Sequence, residues 1–135
     1  MKTITISSVI DVVGSLANDD ISGSVYFMDN NKAGGSIGQG TENLRTVVEQ
    51  GDRLVWTVIC LECEAYSAID SVDINKEFCE PEKKIYPGTD ISYWVGTVKK
   101  PIVDVEVPYS IKFKAGTRHE PITTTSNLAL VGKKI

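Results

Sequence analysis

The side chains able to do covalent or metal chemistry are few. Cys60, Cys63 and Cys79 are the only thiols, and His119 is the only imidazole. Cys60-Leu61-Glu62-Cys63 has C-x-x-C spacing, but a redox pair of that kind needs its first thiol at a helix N-terminus, where the dipole depresses the pKa. Here that thiol closes the β-like run Leu54 to Leu61. A zinc site would have to recruit Cys79 and His119, and the separations fit no common zinc module. Three cysteines at irregular spacing also make a poor disulfide framework, so they read as ordinary thiols of a reducing compartment, the cytoplasm. A Ser-His-Asp or Cys-His device would have to use His119, in Thr117-Arg118-His119-Glu120-Pro121, and no G-x-S-x-G or other motif positions a nucleophile for it. No catalytic residue, metal ligand or cofactor is therefore assigned, and the chain reads as a non-enzyme.

Binding chemistry is better represented. Asp19-Asp20, Asp29-Asn30-Asn31, Asp70, Asp73 and Asp90 place oxygen donors in or beside predicted loops, where calcium-dependent sugar-binding sandwiches collect their ligands. No D-x-[DN]-x-[DN]-G loop is present, and surface acids and Asx-turns explain these residues without calcium. Gly34-Gly35-Ser36-Ile37-Gly38-Gln39-Gly40 matches neither a P-loop nor a dinucleotide-binding turn and reads as a flexible hairpin loop. Tyr93 and Trp94 are consecutive, so they point to opposite faces of their strand and one of them is free to stack on a ligand. Asp29, Asn30, Trp94 and His119 are the candidate ligand-binding residues, suited to a small molecule or a glycan.

The elements that must carry these residues are strands. The chain holds 15 Val, 14 Ile and 11 Thr against 6 Leu and 6 Ala, and β-branched side chains favour strands. Ile4, Ile6, Ile10 and Val12 share one parity while Thr3, Thr5, Ser7 and Asp11 take the other, the alternation of a half-buried strand. Val103, Val105 and Val107, and then Tyr109, Ile111 and Phe113, alternate with polar residues in the same way. Leu54 to Leu61 is apolar at both parities, which predicts a central strand covered on both faces, with Trp56 in the core. Strands are also expected at Ser24 to Met28, Asn43 to Glu49, Ala68 to Ile74, Ile91 to Lys99 and Ile122 to Val131, about nine in all. One helical turn fits before Pro81. The expected fold is an all-β, single-domain antiparallel β-sandwich over residues 1–135, with little or no helix and a polar tail from about residue 124.

Bulk composition narrows the function classes. A net charge of −4 provides no broad basic footprint for nucleic acid or anionic lipid. Thr3 to Val13 has no continuous apolar core of a secretory signal, and no run of 18 apolar residues occurs, so neither export nor a membrane span is expected.

Taken in order, Val25-Tyr26-Phe27-Met28-Asp29-Asn30, Gly38-Gln39-Gly40-Thr41-Glu42-Asn43-Leu44 and Val48 through Gly51-Asp52-Arg53-Leu54-Val55-Trp56 resemble the AidA/PixA inclusion-body protein family. Tyr93-Trp94-Val95-Gly96-Thr97-Val98, Tyr109-Ser110-Ile111-Lys112-Phe113 and Glu120-Pro121-Ile122-Thr123 are similar to its closing strands. Glu120 stands where that family usually has Asp, the following aromatic is absent, and the chain is shorter. The resemblance implies a small bacterial cytoplasmic β protein without catalytic residues, of a kind sometimes under quorum-sensing control and sometimes accumulating as inclusions. The resulting expectation is a self-associating, homo-oligomeric accessory protein. The alternative expectation is a lectin-like module that uses the loop polar residues.

Overall fold

In the computed structural model, the structure describes residues 3–11, 25–31, 34–41, 44–60, 67–85, 87–88, 92–103, 105–115, 122–123 and 128–132. Ten strands follow one another: β1 (Thr3–Ile10), β2 (Val25–Asp29), β3 (Arg45–Val48), β4 (Arg53–Cys60), β5 (Ser67–Ile74), β6 (Glu82–Ile85), β7 (Ser92–Thr97), β8 (Glu106–Ala115), β9 (Ile122–Thr123) and β10 (Ala129–Gly132). They form two sheets, the first in the order β2-β1-β4-β7-β6 and the second in the order β3-β10-β8-β5, with β9 also paired to β8.

Alternation explains why the sheets stack. Ile4, Ile6 and Ile10 of β1, Phe27 of β2, and Leu54 and Trp56 of β4 all face inward and are buried. They meet Ile69 of β5 and Ile111 and Phe113 of β8 in one hydrophobic cluster drawn from both sheets. Ring contacts cross the gap: Phe27 to Phe113 at 6.3 Å between centroids, and Trp56 edge-on to Tyr109 at 5.9 Å. Each fully buried Ile, Leu or Phe contributes about 1.5–3 kcal/mol, so this layer is the main source of stability. The expected all-β sandwich is the observed architecture.

Two pairings are parallel, within sheets that are otherwise antiparallel. β1 pairs with β4 in parallel from Thr3↔Arg53 to Ile10↔Cys60, and β10 pairs with β3 in parallel. Parallel neighbours need a long crossover. The chain supplies it by leaving β2 in the first sheet, visiting β3 in the second, and returning as β4.

Four sequence expectations change. Val103, Val105 and Val107 do not share one strand: β8 begins at Glu106, Val103 and Val105 are exposed, and Ile102 is the buried residue. The cause is a close backbone approach, since a Cβ at Gly132 of β10 would collide with the Ile102 carbonyl. Ile122 to Val131 is divided into β9 and β10. Glu82–Ile85, exposed along its length and with three charged residues of four, forms an edge strand that no apolar alternation announced. Finally, β4 is central in its sheet, but only its inner face is covered: Leu54 and Trp56 are buried while Ile59 is 56% exposed. The single turn expected before Pro81 is present, with the Asn75 carbonyl accepting from Phe78 and Cys79. That turn seats Cys79 against β7 at Gly96, where a Cβ would overlap the Cys79 sulfur.

Candidate functional site

Asp29 ends β2 at inward parity and carries the densest polar cluster among the described residues. Its Oδ1 accepts from the Asn31 backbone N–H at 2.8 Å and from Gln39 Nε2 at 2.9 Å, and its Oδ2 accepts from Thr46 Oγ1 at 2.8 Å. Its own backbone N–H donates to Gln39 Oε1 at 2.8 Å, so Asp29 and Gln39 hold each other by two bonds. Thr46 lies on β3 and is fully buried, so this carboxylate ties an edge strand of one sheet to an edge strand of the other.

The loop that follows completes the tie. Asn31 Nδ2 donates to the Val47 carbonyl at 2.7 Å, and Ser36 Oγ accepts from the Val47 N–H at 3.0 Å. Two side chains thus supply Val47 with the partners a neighbouring strand would otherwise give. Ile37 exchanges backbone bonds with Arg45 of β3, while Gly40 and Thr41 bond to Phe27 of β2. The glycine-rich segment is a strap across the two sheet edges, where a hairpin loop was expected. Gly40 has φ of 77°, a left-handed conformation that suits glycine, at the point where its N–H reaches the Phe27 carbonyl at 2.7 Å.

Asp52 plays a similar part in the β3–β4 turn. Its buried carboxylate accepts from the Glu49 N–H at 2.9 Å, and its carbonyl accepts from Val98 N–H at 2.9 Å. The motifs of the family resemblance, around Asp29, Gln39 and Asp52, are therefore builders of turns and of the inter-sheet tie.

The other candidate residues sit apart from this cluster. Asn30 is exposed, and its Oδ1 accepts from the Thr5 N–H at 3.0 Å while its own N–H donates to the Thr5 carbonyl. Trp94 pairs across β4 with Trp56 and is half-buried against the core, with its indole N–H donating to the Ile69 carbonyl of β5 at 3.2 Å. It links the sheets on the side opposite β2. His119 lies outside the described residues. The structure thus brings Asp29 and Asn30 together and holds Trp94 at another edge. The roles of Asn31, Gln39 and Thr46 were missed by motif reading. The available signal was a polar residue of a β-like run, Thr46, at the same parity as the apolar Leu44 and Val48.

Among the described residues, burial moves two interior groups away from reactivity. Burial pushes the Tyr109 phenol well above its ordinary pKa, with Trp56 opposing part of that shift, so it stays protonated at neutral pH. The Tyr109 hydroxyl, the Trp56 indole N–H and the Ser8 hydroxyl are buried with no well-aligned hydrogen-bond partner among the described residues. Burial also pushes the Cys79 thiol up to about 11, the opposite of nucleophile activation. A shallow open depression of about 360 Å³ is lined by Asp73, Ile74, Asn75, Pro108, Tyr109 and Ser110. Among the described residues, no three His, Cys, Asp or Glu side chains gather to hold a metal, and no helix is long and apolar enough to cross a membrane.

The two outer faces differ in where their charges lie. On the second sheet, β8 presents Lys112 and Lys114, with Asp70 of β5 3.8 Å from Lys114 Nζ and Arg45 of β3 paired to Glu106 at 3.1 Å. On the first sheet, the registers align Tyr26, Val9 and Ile59 in one outward row and Met28, Ser7 and Thr57 in the next. Ser7 and Thr57 hydroxyls bond at 3.2 Å. A third row runs Thr5, Val55 and Val95. None of these nine side chains carries a charge, and Tyr26, Met28 and Ile59 are 42%, 40% and 56% exposed, while the same face carries Glu82 beside Val95, Lys84 beside Tyr93 and Arg53 in the next row.

No curated protein matches the chain by sequence. Among solved structures, the crystal structure of an inclusion body protein (PixA) from Burkholderia cenocepacia J2315 matches with a TM-score of 0.69 at 11% identity, over 99% of this chain and 95% of that one. At that identity the match shows a common fold, and the resemblance seen in the sequence holds at that level. The family described as Domain of unknown function (DUF8788) matches residues 2–120, and the chain belongs to that family.

Proposed function

We propose that this protein is a non-enzymatic structural protein that works by associating with copies of itself. The observation that carries this reading is an apolar patch on the outer face of the first sheet, where exposed Tyr26 and Met28 of β2 and Ile59 of β4 flank Val9 of β1. Monomeric proteins rarely expose a contiguous apolar patch of this kind unless something covers it. A solved structure of the same fold is that of an inclusion body protein, which agrees with an assembling role. The polar residues first considered for ligand binding support the same choice. The Asp29 carboxylate and the Trp94 indole already serve as ties between sheets, and a sugar would have to compete with those bonds.

Sedimentation velocity over a concentration series tests the reading. Association is expected at micromolar chain concentration and persists in about 0.5 M salt, because an apolar contact is not screened as an ionic one is. A chain that stays monomeric up to about 1 mM, the limit of any useful affinity, overturns it.

A further inference from the structure

We propose that residues 34–41 are a detachable cover over the outer edge of β2, and that lifting it lets β2 take up β2 of a second copy by antiparallel strand addition. The association proposed above uses the outer face with this cover closed, so the β2 edge is a second, separate surface. An edge strand turns alternate backbone N–H and C=O groups outward, and left unpaired they are a template for another chain. On β2 the Phe27 N–H donates to the Thr41 carbonyl at 3.2 Å, the Phe27 carbonyl accepts from the Gly40 N–H at 2.7 Å, and the Asp29 N–H donates to Gln39 Oε1. On β3, Arg45 exchanges both of its bonds with Ile37, while Val47 is bonded to the side chains of Ser36 and Asn31.

The other two sheet edges protect themselves. The edge strand β6 carries Glu82, Lys83 and Lys84, charges that discourage strand addition. The edge strand β5 has a register shift between Ile69 and Ser71, and its Ile69 carbonyl is engaged by the Trp94 indole N–H. By contrast β2, Val-Tyr-Phe-Met-Asp, holds no Lys and no Pro and pairs with β1 without a break. Its one charge, Asp29, is taken up by Asn31, Gln39 and Thr46. Its protection is left to the strap.

That strap is anchored by hydrogen bonds, with no hydrophobic side chain buried. Its one hydrophobic side chain, Ile37, is 65% exposed, and its one buried residue is the polar Ser36. Segments with few buried apolar contacts open at lower free energy than packed strands do, so the strap lifts ahead of the sandwich. The β2 edge is the one freed, because its partners Gln39, Gly40 and Thr41 all leave with the strap, whereas Asn31, outside it, stays on the Val47 carbonyl.

A second copy of β2, centred on Phe27, returns the lost bonds. The two Phe27 residues then exchange N–H and C=O bonds, Val25 lies opposite Asp29 of the second copy, and Tyr26 lies opposite its Met28. No like charges meet, and Tyr26 with Met28 makes a sulfur–aromatic pair across the strands. One strand used against itself closes the assembly after two copies.

Amide hydrogen exchange by NMR on the full chain reads the opening, and light scattering on folded variants, checked by circular dichroism, reads its result. The amides of Phe27, Ile37, Gly40, Arg45 and Val47 are expected to open roughly a hundredfold more often than those of β1 and β4. Opening no more frequent than that of β1 and β4 overturns the detachable cover. Gln39→Ala removes both bonds between Gln39 and Asp29 while Asn31 and Thr46 keep theirs, and is expected to associate at a concentration about tenfold below that of the wild type. Adding Ile37→Cys and Arg45→Cys, at a hydrogen-bonded pair with Cα atoms about 5.5 Å apart, lets a disulfide hold the strap down. The oxidised chain loses the added association and regains it with reductant. In the Gln39→Ala chain, Tyr26→Lys with Met28→Lys sets Lys against Lys across the copies and abolishes the added association, and Tyr26→Glu with Met28→Lys sets Glu against Lys and restores it. A Gln39→Ala chain that associates no more readily than the wild type, or ignores the disulfide, overturns the edge and leaves the face association to its own test. Equal behaviour of the two charged pairs overturns the pairing of β2 with β2. Association of Gln39→Ala beside a monomeric wild type supports the edge and removes the face reading.

Discussion

Replacing Asp29 by alanine removes the one carboxylate that ties β2 to β3. Three donors lose their acceptor: the Asn31 N–H, Gln39 Nε2 and Thr46 Oγ1. A hydrogen bond to a charged acceptor contributes about 1.5–3 kcal/mol. The Asn31 and Gln39 bonds are only part-buried, so water can replace much of what they lose. Thr46 is fully buried, and its hydroxyl has no such recourse once the acceptor is gone. The expected loss for Asp29→Ala is therefore about 3–5 kcal/mol, a large part of the 5–15 kcal/mol that stabilises a domain of this size. Asp29→Asn keeps the shape and one oxygen, and the Thr46 hydroxyl can rotate to suit it, so the expected loss is about 1–2 kcal/mol. Urea unfolding followed by tryptophan fluorescence measures both, since Trp56 is buried and Trp94 half-buried between the sheets. A loss below about 1 kcal/mol for Asp29→Ala refutes the reasoning that this residue is a tie between sheets and reopens it as a ligand group.

Further outcomes follow from the core and from Cys79. Trp56→Ala vacates a fully buried site packed edge-on to Tyr109 and is expected to cost about 3–5 kcal/mol in the same unfolding assay; a loss near 1 kcal/mol would contradict its place at the centre of the core. Gly96→Ala drives a methyl into the Cys79 sulfur and is expected to cost about 1–3 kcal/mol. Adding Cys79→Ala should recover part of that loss, and strict additivity of the two substitutions would contradict the contact. Burial raises the Cys79 thiol from 9.0 to about 11, so the folded chain holds its proton where the unfolded chain releases it. The associated stability is full below pH 9 and is lost as pH rises through 11, by about 2 kcal/mol or somewhat more. Cys79→Ala is expected to flatten that slope, and an unchanged slope would assign it elsewhere.

Much of the sandwich is legible in the sequence because its strands bury one face only. The alternation of Ile4, Ile6 and Ile10, and of Tyr109, Ile111 and Phe113, identifies the inward side directly. What failed did so for reasons a local pattern cannot carry. Val103, Val105 and Val107 alternate as well as any strand, but the backbone contact of Ile102 with Gly132, about 30 residues on, sets the inward residue there. Glu82–Ile85 has no apolar periodicity because it is an edge, held by backbone bonds to β7. At the candidate site, the Asp29-Asn30-Asn31 run and the glycine-rich loop are visible as turn chemistry. Their union with Thr46 and Val47 depends on the folded chain bringing two sheet edges together. The two-sided apolar character of β4 was read as burial within one chain, and the structure covers one side of it.

Hydroxyl-radical footprinting of the full chain, in dilute and in concentrated solution, looks at that second side directly. Tyr26, Met28 and Ile59 are solvent-exposed in the single chain and open to oxidation, and Val103 and Ile37 are exposed away from the face. Concentration is expected to protect the first three several-fold and to leave Val103 and Ile37 unchanged. Equal oxidation of Tyr26, Met28 and Ile59 at both concentrations, in a sample that light scattering shows to be associated, would contradict the face as the place where copies meet.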